Sequence, residues 1–192
     1  MGSWKCIFGD QDMAVHLWKY SKGYVGVDEV TRLKLIMESE DRFVKYCKDR
    51  NNSLMLSFSF WKTPCGRPPK HIYELRSYAL RAGSMLEWAN NWSKAIEYRR
   101  EADQEVGGFF NQIGQLYVVN HIWAYENLEA RKTIREKTWL TPGWDLNVAY
   151  TGKSFLAEQN SFISNLIKDL STAVSSLMLT LKAYHLCCQF LN

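Results

Sequence analysis

Two stretches of this chain carry the same spaced pattern of glycine, histidine and aromatic residues. The pattern G-x6-G-x6-H-x-W-x-Y starts at Gly2 and again at Gly107, and its histidines are His16 and His121, so each position recurs 105 residues later. The register holds without a gap over the 19 residues that end, in the first copy, at Tyr20. An ungapped repeat of this kind indicates one structural unit present twice. It restricts the chain to folds that contain two equivalent substructures.

Each copy of the pattern predicts a β-hairpin followed by a helix. The segments MAVHLWKY (13–20) and LYVVNHIWAY (116–125) are rich in β-branched and aromatic residues and follow glycine-containing turn signals. The second copy is preceded by a strand at 71–80 and by a helix that begins at the capping box Ser84–Glu87. It therefore has the order β-α-β-β-α, which is ferredoxin-like without a closing strand. The first copy has the order β-β-α-β and lacks the opening strand and helix.

Composition and short motifs exclude several classes of protein. The chain has 192 residues and a net charge of +4, and its lysines and arginines are dispersed, so no nucleic-acid partner is predicted. The sequence contains no run of about 20 apolar residues, so no transmembrane helix is predicted. The five cysteines form no CxxC pair, which favours free thiols in a reducing compartment. The segment TGKS at 151–154 lacks the earlier glycine of a phosphate-binding loop. No cofactor and no metal site is predicted.

Alternation along the predicted strands divides their side chains between two faces. On the second signature strand, His121, Trp123 and Tyr125 share one face, while Ile122 and Ala124 share the other. The aliphatic face suits packing against helices, and the polar-aromatic face suits a sheet that looks into an interior shared by the two units. Polar and aromatic residues on such faces form one candidate pocket, which comprises Glu74, Arg76, Tyr78, His121, Trp123, Tyr125, His16, Trp18 and Tyr20.

Two interpretations of this residue set compete. In the first, an ion pair, an imidazole and phenols line a small-molecule pocket, as in the cofactor-independent oxygenases and haem proteins of similar architecture. In the second, the same groups form a polar layer that satisfies its own hydrogen bonds where two sheets meet. We favour the second, because a histidine at equivalent positions of both units suits symmetric packing, whereas a catalytic histidine needs only one copy. No catalytic residue is predicted.

Several long motifs resemble the NIPSNAP family, specifically its longer members with two tandem domains. The resemblance covers about residues 2–151 and is carried by GDQDMAVHLWKY, SFSFW, IYELRSYALRAGSMLEWANNW, AIEYR, VGGFFNQIGQLYVVNHIWAY and GWDLNVAYT. It implies an α+β fold of two tandem ferredoxin-like units in the dimeric α/β-barrel arrangement, with the two sheets facing each other. The first unit is incomplete in this chain.

The resemblance also implies a function. It predicts a non-enzymatic, mitochondria-associated protein-binding or scaffold protein, with partners that include the autophagy machinery of mitophagy, and it allows a homo-oligomer. The family has no established catalytic residues that could be transferred. The alternative is a ligand-binding or oxygenase-like module that uses a cavity between the two sheets. Because no import signal precedes the motifs, we expect either a mitochondrial or a cytoplasmic location.

The motifs and the resemblance divide the chain into four segments. Residues 1–62 form the incomplete first unit, 63–70 a linker, 71–151 the second unit and 152–192 a divergent tail. This arrangement predicts a truncated or alternatively spliced form of the family. The first unit lacks its central strand, so its two flanking strands would leave unpaired backbone groups. We therefore expect it to depend on the second unit or to remain dynamic.

The tail is predicted to be mainly helical. From Ile163 to Leu181, apolar residues recur at helical spacing opposite a face rich in hydroxyl groups. Few lysines or arginines lie on that polar face, which argues against binding to a membrane surface. We therefore expect a helix that packs wherever apolar surface is free or that remains an exposed apolar tail. In the alternative interpretation, SLMLTLKAY (176–184) forms a strand that replaces the missing one.

Overall fold

The computed structural model describes residues 2–36, 48–65, 67, 70–155, 162–169 and 184–191. Its strands are β1 (Gly2–Phe8), β2 (Met13–Tyr20), β3 (Arg50–Ser57), β4 (Ile72–Ala79), β5 (Glu105–Ile113), β6 (Val118–Tyr125), β7 (Phe162–Asp169) and β8 (Tyr184–Leu191). Its helices are α1 (Gly23–Ile36), α2 (Met85–Ala95), a 3-10 helix (Ile96–Ala102), α3 (Leu128–Trp139) and α4 (Trp144–Phe155). Helices combined with largely antiparallel strands confirm the α+β class.

The eight described strands close into a barrel in the order β1-β2-β8-β3-β5-β6-β4-β7. Both hairpins predicted from the repeat are present, as β1–β2 and β5–β6. Neighbouring strands are antiparallel except at β8, which runs parallel to both β2 and β3. The strand β7 pairs with β4 on one side and with β1 on the other, and this last pairing closes the ring.

The repeated glycines before the signature strands set the turn geometry of both hairpins. Gly9 has a φ of 105° and Gly114 a φ of 103°. Three residues later, Asp12 and Tyr117 also have positive φ values, of 64° and 60°. Glycine adopts this region without the steric cost that a Cβ atom imposes. The two turns therefore repeat their backbone conformation at the same 105-residue offset as the sequence pattern.

The first glycine of each copy leaves room for an aromatic ring two residues further along the strand. A Cβ atom at Gly2 would lie 2.3 Å from the Trp4 ring, and one at Gly107 would lie 2.1 Å from the Phe109 ring. Both rings are buried in the same apolar cluster. The first part of the repeated pattern therefore encodes how each hairpin packs against the core.

An apolar cluster contributed by seven strands fills the barrel interior, as expected for an eight-stranded barrel whose lumen is closed by side chains. The members of this cluster are Trp4, Cys6, Val15, Leu17, Met55, Tyr73, Leu75, Val106, Phe109, Ile122, Ala124 and Ile167. A second cluster packs the outer side of β6 against α2 and α4. Its members are Phe58, Trp61, Leu80, Trp88, Trp92, Ala95, Ile96, Val119, Trp123, Tyr125, Trp144 and Phe155.

The predicted orientation of the sheet faces is therefore wrong. The aliphatic residues Ile122 and Ala124 point into the barrel, whereas Trp123 and Tyr125 point outward to the helices. Alternation identified correctly which residues share a face, but it does not say which face is inside. The side chains available on each side of the sheet explain this orientation. The helical segment supplies large aromatic side chains to the outer face, and the narrow interior takes compact apolar ones.

The helix predicted from Ile163 onward is also wrong where the structure describes it. Residues Phe162–Asp169 form β7, and Ile167 is buried in the barrel interior. This segment pairs with β4 from Phe162 to Lys168 and with β1 from Leu166 to Asp169, and strand pairing on both sides outweighs its helical periodicity. The rest of the predicted helix, and most of the alternative strand at 176–184, lies outside the described residues.

The strand position that the sequence left empty in the first unit is occupied. β8 lies between β2 and β3, and its register runs from Met13↔Tyr184 to Tyr20↔Leu191 on one side. On the other side it runs from Arg50↔His185 to Leu56↔Leu191. The backbone groups that we expected to lack partners therefore find them in a segment distant in sequence.

Candidate functional site

Six of the nine candidate residues lie together on the outer face of two paired strands. In the β4–β6 pairing, Glu74 lies opposite Trp123 and Arg76 opposite His121. All four of these side chains are buried. Tyr78 and Tyr125 extend the same face toward the two ends of the pair, because residues two apart on a strand lie on one side.

Glu74 is the centre of a buried ion-pair network. Its Oε2 accepts hydrogen bonds from Arg76 Nη2 at 2.8 Å, Arg131 Nε at 3.2 Å and the Tyr125 hydroxyl at 3.3 Å. Its Oε1 accepts from Arg131 Nη2 at 2.6 Å. A buried carboxylate is costly unless cations and donors compensate it, and these four bonds do so. The network ties β4 to β6 and to α3.

A second guanidinium, from Arg99 on the 3-10 helix, completes the network. Arg99 Nη2 donates to the Tyr125 hydroxyl at 2.9 Å and to Gln104 Oε1 at 2.9 Å. Its guanidinium carbon lies 4.2 Å from the centre of the Trp123 ring, a cation–π geometry. Burial, with the nearby charges of Arg76 and Arg135, lowers the pKa of Arg99 to about 10, so it remains charged at neutral pH.

Sequence reasoning missed Arg99 and Arg131, although both contact the predicted residues. They belong to segments rich in charged residues, where solvent exposure is the ordinary expectation for an arginine. Only Ala95 and Ile96, which continue the apolar face of α2 into the 3-10 helix, indicated that this segment packs closely on the sheet.

His121 is enclosed by aromatic rings. Neither ring nitrogen has a hydrogen-bond partner in the described structure, and the side chain has no exposed surface. Burial, with the charges of Arg76 and Arg99, holds the pKa of His121 well below its ordinary value, so the ring is neutral. Its aromatic neighbours, with centroid distances, are Trp61 (4.7 Å), Trp92 (4.9 Å), Tyr78 (5.2 Å) and Trp88 (5.4 Å).

A glycine on the neighbouring strand makes room for this enclosure. Gly108 pairs with His121 across the β5–β6 hairpin. A Cβ atom at Gly108 would lie 2.3 Å from the indole of Trp61. The absence of a side chain therefore lets Trp61, from the loop after β3, lie over the sheet and contact both His121 and Trp123.

The three candidates from the first copy do not join this group. His16 lies on β2, which β8, β3 and β5 separate from β6 around the barrel, so the expected common cavity does not form. The residue equivalent to Gly108 in the first copy is Ser3, and its Oγ lies 2.8 Å from His16 Nδ1. Trp18 is 51% exposed, whereas its counterpart Trp123 is completely buried. Tyr20 is half-buried at the end of β2.

The environment of His121 predicts a pH dependence of stability. A histidine whose folded-state pKa is depressed takes up a proton in the unfolded chain but not in the folded one. Its contribution is therefore complete above the unfolded pKa of about 6.5 and is lost as the pH falls below it, by about 1.4 kcal/mol per pH unit. From His121 alone, we expect the free energy of unfolding, from urea titrations, to fall by about 1.4 kcal/mol between pH 7.5 and pH 5.5.

The variant His121→Phe provides the control, since it retains a ring but cannot bind a proton. The pKa of His16 is also lowered by burial, and the pKa of Glu105 is raised by burial, but both groups titrate in the variant as well. The difference between the two pH profiles therefore isolates His121. Equal profiles for the two proteins would contradict the neutral, enclosed imidazole.

Two classes of site are not found in the described part of the chain. No group of three or more histidine, cysteine or acidic side chains there could hold a metal ion. None of the helices described is both long and apolar enough to cross a membrane.

The structure defines an α+β barrel protein. A polar-aromatic layer, made of Glu74, Arg76, Tyr78, His121, Trp123 and Tyr125, lies between the barrel and its helices. Residues 73–170 match the NIPSNAP family model. The chain belongs to the NIPSNAP family.

The curated relatives extend beyond the region that this chain shares with them. The chain is 49% identical over 156 residues to the putative NipSnap protein K02D10.1 of Caenorhabditis elegans, covering 79% of this chain and 30% of that one. It is 46% identical over 158 residues to NipSnap homolog 2 of Mus musculus, covering 79% and 55%. The chain therefore spans about half or less of the length of these relatives.

Among solved structures, the chain is similar to an uncharacterized NIPSNAP-like domain protein from Burkholderia xenovorans. The two share 27% sequence identity, with a TM-score of 0.49, over 59% of this chain and 96% of the bacterial one.

Proposed function

We propose that this chain is a non-enzymatic, protein-binding scaffold of the NIPSNAP type and that its polar-aromatic layer is structural. One observation carries the proposal: the groups suited to chemistry are closed off. Glu74, Arg76 and His121 are buried beneath helices, and the two charged residues are bonded to each other. A general acid or base must come within hydrogen-bond reach of its substrate. The layer instead fastens α2, α3 and the 3-10 helix to the barrel.

The strand order supports an architecture of two tandem ferredoxin-like units. The elements β4-α2-β5-β6-α3-β7 follow one another in the β-α-β-β-α-β order, with α4 inserted before β7, and their strands lie in the order β5-β6-β4-β7. The strands β1, β2 and β3 with α1 repeat the later part of that order, and β8 stands in the opening position. On this proposal the second unit continues past residue 151 to include β7.

The alternative, an oxygenase-like or ligand-binding module between the sheets, loses its main support. That hypothesis placed His121, Arg76 and Tyr125 in an interior shared by the two units. The interior is instead filled by apolar side chains such as Leu17 and Phe109, and the polar group lies outside it.

Exposed apolar side chains at the junction of α3 and α4 are the proposed contact surface for a protein partner. Leu140 is 83% exposed and Leu146 is 77% exposed, and Trp139 beside them is also largely exposed. Large exposed apolar side chains that lie close together in sequence, at one connection between helices, are candidates for an interaction site. From family membership we further propose a mitochondrial location and partners connected with autophagy.

Crosslinking in cells, read by mass spectrometry, tests the contact surface. The double variant Leu140→Asp/Leu146→Asp is expected to lose most of the crosslinked partner species, since two charges would be buried in the interface. Leu86→Asp is the matched control, because Leu86 on α2 is 75% exposed. An unchanged crosslinking pattern in the double variant, or an equal loss in the control, would contradict the assignment of this surface.

A further inference from the structure

A stripe of basic and apolar side chains runs along one side of α3. Its members lie three, four, seven and eleven residues beyond the first, which is the spacing that places side chains on one face of a helix. We call this the α3 stripe, and it comprises Leu128, Arg131, Lys132, Arg135 and Trp139. Leu128 and Trp139 are each more than half exposed, as is the Lys132 side chain. The stripe therefore presents large apolar groups at its two ends and cations between them.

The arginines of the α3 stripe belong to a group with more positive than negative charge. Arg76 and Arg131 both donate to Glu74, whereas Arg99 donates to a phenol and an amide. Arg135 pairs with no carboxylate in the part of the chain that the structure describes. Four guanidiniums therefore share one carboxylate. In keeping with this surplus, burial and then the charge of Arg76 lower the pKa of Arg135, and Glu74 opposes them only in part.

Arg135 is held in a position that suits an acceptor from outside the chain. Its guanidinium carbon lies over the Trp139 ring, 5.1 Å from the ring centre, and that ring is itself exposed. A guanidinium stacked in this way loses little further freedom when it binds. Arg131, one helical turn away, donates Nε and Nη2 to Glu74, and the described structure shows no bond from its Nη1. The two arginines therefore offer donors that suit a carboxylate, which guanidinium groups bind through paired hydrogen bonds.

The equivalent helix of the first copy lacks the arginines of the α3 stripe. α1 begins 105 residues before α3, which is the offset of the repeated pattern. At this offset Gly26 stands in the position of Arg131, and Val30 stands in that of Arg135. α1 nevertheless contacts β2. A helix in this place therefore packs on the barrel without these side chains, and packing alone does not explain the stripe.

We propose that the α3 stripe binds an acidic segment of a protein partner, in which carboxylates lie between apolar side chains. Charge complementarity selects the acidic groups, and the exposed apolar ends of the stripe select the residues that flank them. The inference rests on the proposed scaffold function, because the stripe continues at Trp139 into the contact surface that includes Leu140 and Leu146.

The width of the stripe favours a peptide segment over a membrane surface or a nucleic acid. Glu129 and Glu136 are exposed on the side of α3 opposite the buried Thr138, away from the stripe. A broad anionic surface that approached α3 would meet these carboxylates and be repelled. A single segment that lies along the stripe would not meet them.

Nuclear magnetic resonance titration of the ¹⁵N-labelled chain tests the proposal with a synthetic peptide in which leucines alternate with pairs of glutamates. We expect it to shift the amide signals of Arg131, Arg135 and Leu140. The same peptide with glutamine for every glutamate is expected to bind at least about tenfold more weakly, because it offers no carboxylate. Equal affinities for the two peptides, or shifts confined to other regions, would overturn the proposal. So would binding to vesicles of phosphatidylcholine and phosphatidylserine without binding to the glutamate peptide.

Variants tie binding to the stripe. Arg135→Gln is expected to weaken binding of the glutamate peptide about fivefold, the effect of about one partly exposed ion pair. Arg32→Gln is the matched control, since it makes the same change at an exposed arginine of α1 and is expected to leave the affinity unchanged. Lys132→Gln, at a more exposed position, is expected to weaken binding as well and serves if Arg135→Gln does not fold. Unchanged affinity in the folded stripe variants, or an equal loss in Arg32→Gln, would contradict the proposal.

Crosslinking in cells separates this inference from the proposed scaffold function. Arg135→Gln is expected to lose part of the crosslinked species that Leu140→Asp/Leu146→Asp loses. If the double variant loses its partners while Arg135→Gln keeps all of them, the acidic partner is wrong and the apolar contact surface stands. If the double variant keeps its partners, the proposed contact surface fails and this inference fails with it.

Discussion

Replacing Trp123 by alanine is expected to lower the free energy of unfolding by about 3–5 kcal/mol. The Trp123 side chain is completely buried on the outer face of β6. It contacts the Trp61 ring edge-to-face at 4.9 Å and supports the guanidinium of Arg99 at 4.2 Å. Its removal would leave a cavity and withdraw the aromatic surface over which a buried cation rests. Urea titration at pH 7.5, with circular dichroism as the readout, measures the loss.

The repeat supplies a matched control for this variant. Trp18 occupies the same position in the first copy but is 51% exposed. Trp18→Ala removes the same atoms from a half-exposed site, and we expect it to cost about 1 kcal/mol or less. Losses of similar size at the two positions would show that the first copy is packed as tightly as the second, contrary to the structure.

The variant Glu74→Gln is expected to destabilise the protein by about 3–5 kcal/mol. Glu74 is the carboxylate that compensates the buried guanidinium of Arg76, and it also accepts bonds from Arg131 and Tyr125. Burial by itself lowers the pKa of Arg76, but Tyr78 and Glu74 raise it above its ordinary value, so Arg76 keeps its charge. Without Glu74 that charge remains in the layer with no carboxylate bonded to it. Urea titration of both proteins at pH 7.5 gives the difference.

Two further variants distinguish the stability lost with the buried ion pair from the stability lost when any carboxylate is removed. Glu129→Gln alters an exposed glutamate of α3 near Lys132 and is expected to change stability by less than about 0.5 kcal/mol. The double variant Glu74→Met/Arg76→Met removes this pair and leaves Arg131, whose side chain is 25% exposed, to be solvated. It is expected to recover part of the loss, since apolar residues often replace a buried pair at little cost. A double variant as unstable as the sum of its single changes would argue against an uncompensated charge as the cause.

The hairpins and the membership of each sheet face could be predicted from the sequence, because both are local properties. The glycine spacing specified two turns with the same backbone conformation, and the period of two placed Glu74 with Arg76 on one face of β4 and His121 with Trp123 on one face of β6. The direction of that face could not be predicted. It depends on where α2 packs, and Trp88 and Trp92 of that helix form the enclosure of His121. This is a tertiary contact that no local pattern encodes.

The two strands after residue 155 were missed for a related reason. Their partners lie far away in sequence: β7 joins β4 to β1, and β8 joins β2 to β3. Spacing within the segment favoured a helix, yet unpaired strand edges elsewhere in the chain determine its conformation. Likewise, Arg99 and Arg131 are ordinary charged residues in the sequence, and only the buried carboxylate of Glu74 and the hydroxyl of Tyr125 explain their positions.

The placement of β8 has a consequence for biosynthesis. Its neighbours β2 and β3 leave the ribosome well before β8, which follows every other described strand of the barrel. Until it arrives, two open edges face each other across a gap, and such edges are where nascent chains associate wrongly. Insertion of a strand parallel to both neighbours also requires contacts of long sequence separation, which form slowly. The barrel therefore stays open until β8 has been synthesised, and its two unpaired edges can associate wrongly until then.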